Sequence, residues 1–316
     1  MKKILISGVN GQIGSELSEE LGKSVGMENI IGLDLRPASP PYRRVHEIVD
    51  VTKKEAVRHV VEKYDVDTIF HLASLLSAIG EKNPDQAWEV NMTGLKNILD
   101  LARGTKIKVF WPSSIAVFGP NSPKHNTPQE TIIDPNTMYG ITKRAGELLC
   151  QYYFEKFDVD VRSVRYPGII SHKTEPGGGT TDYAVEIFYE AVKHQVYTCF
   201  VGPETRLPMM YMNDAIKAAV AIMQADSKNI NVRTSYNLSA VSFTVAELVT
   251  EIKKHIPDFK CRYAPDFRQE IANSWPRDID DTGARQDWGW RHEFDLASLT
   301  KDMLQKLQDR VQGSQL

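Results

Sequence analysis

The chain is expected to fold as α/β, with a doubly wound parallel sheet and a smaller C-terminal lobe. Three observations point there. Short apolar runs alternate with helical stretches through the first half, at 4–7, 30–33, 68–72, 109–111 and 161–164, each bounded by Gly, Asp or Pro; such runs suit strands buried on both faces of a parallel sheet. Gly8-Val-Asn-Gly11-Gln-Ile-Gly14 stands between the first run and the helix that follows it. After Arg165 the alternation breaks, at Pro167, Pro176 and Gly177-Gly178-Gly179.

Between the strands, residues 85–103 and 139–157 read as helices, and βα units repeated in this way place ligands at the carboxyl ends of the strands. Residues 211–223 read as a helix returning to the first sheet. Those at 244–256 and 296–312 read as surface helices of the smaller lobe. The expected division is therefore 1–166, with returns near 208–240, for the sheet, and 167–207 with 241–316 for a substrate-binding lobe.

Bulk properties exclude more than they assign. The 316 residues are 41% hydrophobic and 25% charged with a net charge of −3, which gives no reason to expect nucleic acid or an anionic membrane as partner. Cys150, Cys199 and Cys261 are far apart, and the eight histidines are scattered without an HExxH; neither a disulfide framework nor a metal site is expected. No apolar run approaches the ~20 residues of a membrane span. Lys3-Ile-Leu-Ile-Ser7 leaves no room before it for a leader, so the expected home is cytoplasmic.

The glycine loop is the first chemical signal. At a strand-to-helix junction Gly8, Gly11 and Gly14 allow a tight turn and close backbone approach, with Gln12 and Ile13 between them, and the helix N-terminus can receive a pyrophosphate. Asp34 stands 20 residues past Gly14 at the end of the second strand, where a carboxylate binds a ribose 2′-hydroxyl and repels a 2′-phosphate. That favours NAD over NADP, although Arg36 follows closely. Asp50 and Val51 end the third strand, with adenine contact and capping of a helix near Thr52 as equal readings of Asp50. His71-Leu72-Ala73-Ser74 ends the fourth, where small residues admit the cofactor and His71 reads as a core residue. Asn91 is read either as a hydrogen-bonding group near the site or as solvent-exposed. Tyr166, after the strand at 161–164, completes the expected NAD set.

The second signal is Tyr139-Gly-Ile-Thr-Lys143, with Ser114 25 residues upstream. A tyrosine and a lysine four apart share one helix face. An ammonium there makes the phenolate less costly, so the tyrosine, ordinarily near pKa ~10, can act as a base closer to neutral pH. Ser114 can hold a substrate hydroxyl while Tyr139 takes its proton. Ser113 is its neighbour, but the spacing favours Ser114. Alcohol oxidation or carbonyl reduction is the chemistry these residues imply.

In this order and spacing the chain resembles, over essentially its whole length, the extended branch of the short-chain dehydrogenase/reductase superfamily, whose nucleotide domain is a Rossmann fold. The resemblance implies that Tyr139 is the acid/base, that Lys143 binds the nicotinamide ribose and lowers the tyrosine pKa, and that Ser114 orients the substrate. It also implies a homodimer formed through the helices at 85–103 and 139–157. Dehydratases of this branch carry an Asp-Glu pair after the serine position; here Ile115-Ala116 stands there.

His172-Lys-Thr-Glu-Pro176-Gly-Gly-Gly179-Thr180-Thr181-Asp182-Tyr-Ala, Ser274-Trp275-Pro276 and the run 112–119 resemble segments of the short-chain type of L-threonine 3-dehydrogenase. What that likeness implies is oxidation of the C3 hydroxyl of L-threonine to 2-amino-3-oxobutanoate, with Ser74, Thr180 and Thr181 beside Ser114 and Tyr139 as substrate contacts and Trp275 as a wall. The glycines and threonines can present N–H groups and hydroxyls as a nest for a small carboxylate; a flexible linker is the other reading. The competing functions are an NAD-dependent sugar-nucleotide epimerase and a non-catalytic NAD-sensing module. No acidic residue is an evident holder for the substrate ammonium.

Overall fold

A computed structural model describes residues 1–38, 44–175 and 177–313. Pro176, named above among the breaks in the alternation, lies outside the described residues.

Seven parallel strands form the main sheet: β1 (Ile4–Ser7), β2 (Ile30–Asp34), β3 (Val45–Ile48), β4 (Thr68–His71), β5 (Lys108–Ser114), β6 (Val161–Tyr166) and, after two strands of another sheet and one of a third, a strand at Tyr236–Asn237. In sequence order those intervening strands are β7 (Gly168–Ile170), β8 (Val196–Cys199) and β9 (Arg206–Tyr211), so the last strand of the main sheet is β10. The spatial order is β10-β6-β5-β4-β1-β2-β3, the doubly wound arrangement with its switch point between β1 and β4. β11 (Val241–Thr244) joins β9 and β7, and β12 (Lys260–Tyr263) pairs with β8.

Ile4, Leu5 and Ile6 have no exposure, because helices cover both faces of the sheet. Val57, Leu95, Ile98, Leu99 and Cys150 pack on one face. On the other lie Leu17 and Leu21 of the helix Gln12–Val25 with Ala215, Ala218 and Ile222 of the helix Met212–Gln224. A third core, around Phe188, Leu207, Phe243, Leu248 and Met303, belongs to the C-terminal half.

Two strands run past their apolar cores. β5 continues through Pro112 to Ser114, and β6 through Arg165 to Tyr166. Proline and arginine hid these ends from a reading based on hydrophobicity. The buried arginines of β6 are each matched: Arg162 holds Asp160 and the carbonyls of Ile222 and Ala225, and Arg165 holds Glu147 through Nε and Nη2 at 2.8 and 2.9 Å. The stretch 85–103, expected as one helix, is instead Pro84–Trp88, a π-turn Glu89–Thr93 and Gly94–Ala102. The extra residue of a π-turn re-aims a side chain, and here Asn91 is buried in it.

Candidate active site

The glycine loop leaves β1 with Gly8 at φ +70, a conformation that disfavours any side chain. A Cβ at Gly14 would lie 2.4 Å from the Gly8 carbonyl oxygen, so only glycine lets the helix start this close to the turn. Asp34, nearly buried at the end of β2, accepts from the backbone N–H of Asn10 at 3.0 Å and from that of Arg36 at 3.0 Å. One carboxylate thus ties the second strand to the loop.

The other expected nucleotide contacts fall out unevenly. Asp50 accepts from the Thr52 N–H at 2.9 Å, but the helix starts at Lys54 with Lys53 as its cap; Asp50 shapes a turn before the helix and does not cap it. Val51 is buried, and its carbonyl receives Asn97 Nδ2 at 3.0 Å. Leu72 lines the chamber described below with Gln12 and Ile13, and Ala73 packs against Gly8. Asn91 Oδ1 accepts from the Leu75 N–H at 2.8 Å and Ser74 Oγ at 3.0 Å, while its Nδ2 donates to Thr142 Oγ1 at 3.1 Å. It pins the segment after β4 to the catalytic helix. The Tyr166 hydroxyl is committed to the Ala215 carbonyl at 2.6 Å. His71 bonds Ser7 Oγ at 2.7 Å through Nδ1, while Nε2 is without a partner; burial, with Lys143 close by, lowers its pKa to about 3.

Tyr139 and Lys143 sit in the first turns of the helix Met138–Phe157, whose N-terminus is capped by Thr137 Oγ1 accepting from the Gly140 N–H at 3.1 Å. At Gly140 a Cβ would lie 2.2 Å from the Ala116 carbonyl. The missing side chain lets the helix touch the turn after Ser114, so that Tyr139 and Ser114 line the same space. Lys143 Nζ donates to the Pro112 carbonyl at 2.7 Å, 4.6 Å from the Trp111 ring centre and 5.5 Å from that of Tyr139.

Electrostatics here run opposite to the sequence expectation. Burial pushes Tyr139 up to about 12, with Ser114 offsetting part of it, and pulls Lys143 down to about 7. The expected lowering of the tyrosine by the lysine does not appear: desolvation sets the direction for both groups, and the lysine nitrogen is engaged by the Pro112 carbonyl. Each group is driven toward its neutral form.

These residues open on a chamber of about 150 Å³, roughly room for five waters and thus for a small polar molecule. Ser114, Tyr139 and Lys143 form one wall; Gly179, Thr180, Thr181 and Asp182 form a second, and Ser74, Ser77 and Trp275 are also part of the lining. Thr180 is held by Ser77, whose Oγ lies 3.2 Å from Thr180 Oγ1. The glycine run is not an open nest: Gly178 and Gly179 N–H both donate to Asp182 Oδ2, at 2.8 and 2.7 Å. Its donors are used by the chain's own carboxylate. Asp182 is the acidic group lining the chamber among the described residues, and burial raises its pKa.

Sequence reasoning missed Asp182 and Ser77. Asp182 stood inside the quoted motif without a role; it directly precedes the helix Tyr183–His194 but does not cap it with its side chain, which turns back to the glycines instead. Nothing in the sequence marked Ser77. Among the described residues no cluster of His, Cys, Asp or Glu could hold a metal.

Residues 4–239 match the family described as NAD dependent epimerase/dehydratase. The chain belongs to that family. It is 49% identical to an uncharacterized epimerase/dehydratase of Staphylococcus haemolyticus (strain JCSC1435), covering 99% of this chain and 100% of the relative. Among solved structures it is similar to a GalE-like L-threonine dehydrogenase from Cupriavidus necator in its holo form, with 50% identity, a TM-score of 0.95, and coverage of 96% of this chain and 99% of that one. It is equally similar to the L-threonine dehydrogenase of Clostridium difficile, with 49% identity, a TM-score of 0.96 and 98% of each chain covered. NAD fits the family's nucleotide end here, since the Gly8–Gly14 approach and the Asp34 carboxylate stand where a pyrophosphate and a ribose hydroxyl would need them.

Proposed function

We propose that this protein is an NAD-dependent L-threonine 3-dehydrogenase, oxidising the C3 hydroxyl to give 2-amino-3-oxobutanoate. The observation that carries the reading is the chamber itself, where a hydroxyl-handling trio and a half-buried acid line one space for a small molecule, in a chain that is half identical end to end to threonine dehydrogenases of known structure.

Bound NAD supplies the hydride acceptor. Gly8, Gly11, Gln12, Ile13 and Gly14 hold its pyrophosphate end, Asp34 its adenosine ribose, and Asp50, Val51, Leu72, Ala73, Asn91 and Tyr166 shape the remaining contacts, several through backbone alone. Ser114 positions the substrate hydroxyl, and Tyr139 accepts its proton as the carbon loses hydride. Lys143 would hold the nicotinamide ribose and, when protonated, would supply positive charge beside the developing phenolate. Asp182 takes the substrate ammonium, filling the gap left by the sequence, and Thr180, Thr181 and Ser74 meet the carboxylate and the remaining polar atoms. In this reading residues 1–166, with returns near 208–240, serve the nucleotide, and 167–207 with 241–316 serve the substrate.

Absorbance of reduced nicotinamide decides the matter: NAD with L-threonine gives a rise, NADP and UDP-sugar controls do not. A flat trace with threonine and a turned-over UDP-sugar would move the protein to the epimerases.

The partner is a second copy of this chain. Trp88, Ile141, Leu148 and Tyr152 stand exposed on the helices at 85–103 and 139–157, and apolar side chains so placed support pairing through those helices. A sedimentation mass of one chain would remove this assignment. Among the described residues no helix is long and apolar enough to cross a membrane, and three free cysteines support a reducing, cytoplasmic home; recovery in a secreted fraction would contradict it.

A further inference from the structure

The helix Gln12–Val25 faces the chamber with its first residues, Gln12 and Ile13. One turn further on, Glu16 is buried and accepts from Ser171 Oγ at 2.6 Å. Ser171 directly follows β7, whose Gly168 and Ile169 line the same chamber, and it has no exposure at all. Its oxygen also accepts from the Lys173 N–H at 3.2 Å, so both capacities of this hydroxyl are used.

The segment 171–173 is held from two sides. Lys173 Nζ pairs with Glu19 on the nucleotide helix at 2.5 Å. From the opposite side the Tyr189 hydroxyl and Arg310 donate to the His172 carbonyl. Tyr189 belongs to the helix Tyr183–His194, which begins directly after Asp182 of the substrate wall. Glu16 has a second partner in the same segment, Lys173 Nζ at 4.0 Å, yet burying a carboxylate costs stability that an apolar pair of the same size would not. What a bonded pair adds is a fixed register between the two segments it joins.

We propose that Glu16 and Ser171 are positioning residues for the substrate: through their bond the nucleotide-binding helix sets where Thr180 and Asp182 stand, so that nucleotide and amino-acid binding support each other. This rests on the dehydrogenase reading above. The Glu16–Ser171 bond joins the segment after β7 to the helix whose N-terminus would receive the pyrophosphate. Neither residue touches reacting atoms.

The test is a double-mutant cycle on the full chain with S171A, E16A and the pair. The readouts are kcat and KM for L-threonine at saturating NAD, and NADH affinity by fluorescence with and without L-threonine. Each single variant raises KM for L-threonine by about tenfold, the effect of losing a hydrogen bond to a charged group, with kcat close to wild type. The pair is no worse than either single variant. E16Q, which keeps an acceptor oxygen, restores KM. L-threonine tightens NADH binding to the wild type and does so no longer in S171A.

An unmoved KM in S171A, additive losses in the pair, or a fall in kcat and KM-derived efficiency without any change in the NADH coupling overturns the proposal. Should one single variant fail to fold, the other carries the same KM comparison. A wild type that does not reduce NAD with L-threonine overturns the dehydrogenase reading itself; a working wild type with an unmoved S171A removes only the positioning pair.

Discussion

The two walls of the chamber are built on opposite principles. On one side Ser114 ends a central strand and Tyr139 and Lys143 start a helix of 20 residues, so backbone regularity sets their spacing. On the other side the residues 178–182 have no regular partner strand, and their geometry comes from side chains that bond back to the chain: Asp182 to two glycine N–H groups, and Thr180 to Ser77. The first wall drives both its groups toward the neutral form, Tyr139 up at about 12 and Lys143 down at about 7, and only for the lysine is that a departure from the ordinary charge state. The second satisfies itself. The rigid wall carries the groups that would move the proton and the self-bonded wall those that would read the substrate, so losses in the two should differ in kind as well as in size.

The largest loss is expected at the rigid wall. Tyr139→Phe removes the proton acceptor and should lower kcat by about 10³-fold, within the range of general-base contributions, while NADH still binds; retained kcat would break the comparison at its strongest point. Asp182→Asn keeps the shape of the second wall and should act mainly on KM for L-threonine, by about tenfold, through loss of a charged partner. An equal fall in kcat with KM unchanged would place Asp182 with the catalytic groups instead.

The smallest effect sharpens the electrostatic half of the contrast. Lys143 has a folded pKa below its ordinary 10.5, so between about pH 7 and that ordinary value the unfolded chain binds a proton that the folded chain lacks. Stability then rises with pH across this window. In the cofactor-free protein Lys143→Met should flatten that rise, shifting the difference in Tm between variant and wild type by on the order of a few °C from pH 7 to 10. A constant difference would mean that the lysine is not desolvated.

Legibility followed the same division. The strands at 4–7, 30–33 and 68–72 were visible because burial on both faces leaves an unbroken apolar run, and Tyr139, Lys143 and Ser114 because helical and strand periodicities carry fixed spacings. The ends of β5 and β6 were hidden by Pro112 and Arg165, whose compatibility depends on Lys143 and Glu147 arriving from a helix elsewhere in the chain. The π-turn at Asn91 has no local signature. The role of Asp182 as acceptor for its own glycines, and the joining of Ser77 to Thr180 across about a hundred positions, are properties of contact between remote segments, which no window of sequence contains. The direction of the Tyr139 shift failed for a related reason: a neighbouring cation can be named from spacing, but the loss of water around it cannot.

β10 reaches β6 only after the chain has passed through β7, β8 and β9, with Tyr236 set beside Val164 and Asn237 beside Arg165. During synthesis, then, the main sheet waits with one edge open until the ribosome has moved beyond position 240. In that interval β6 presents unpaired backbone, and the sheet face that the helix Met212–Gln224 will cover is bare. A chain stopped at 166 would keep both defects permanently and would be prone to aggregate. Although its chemistry sits in separable stretches, this molecule is expected to be made whole or not at all.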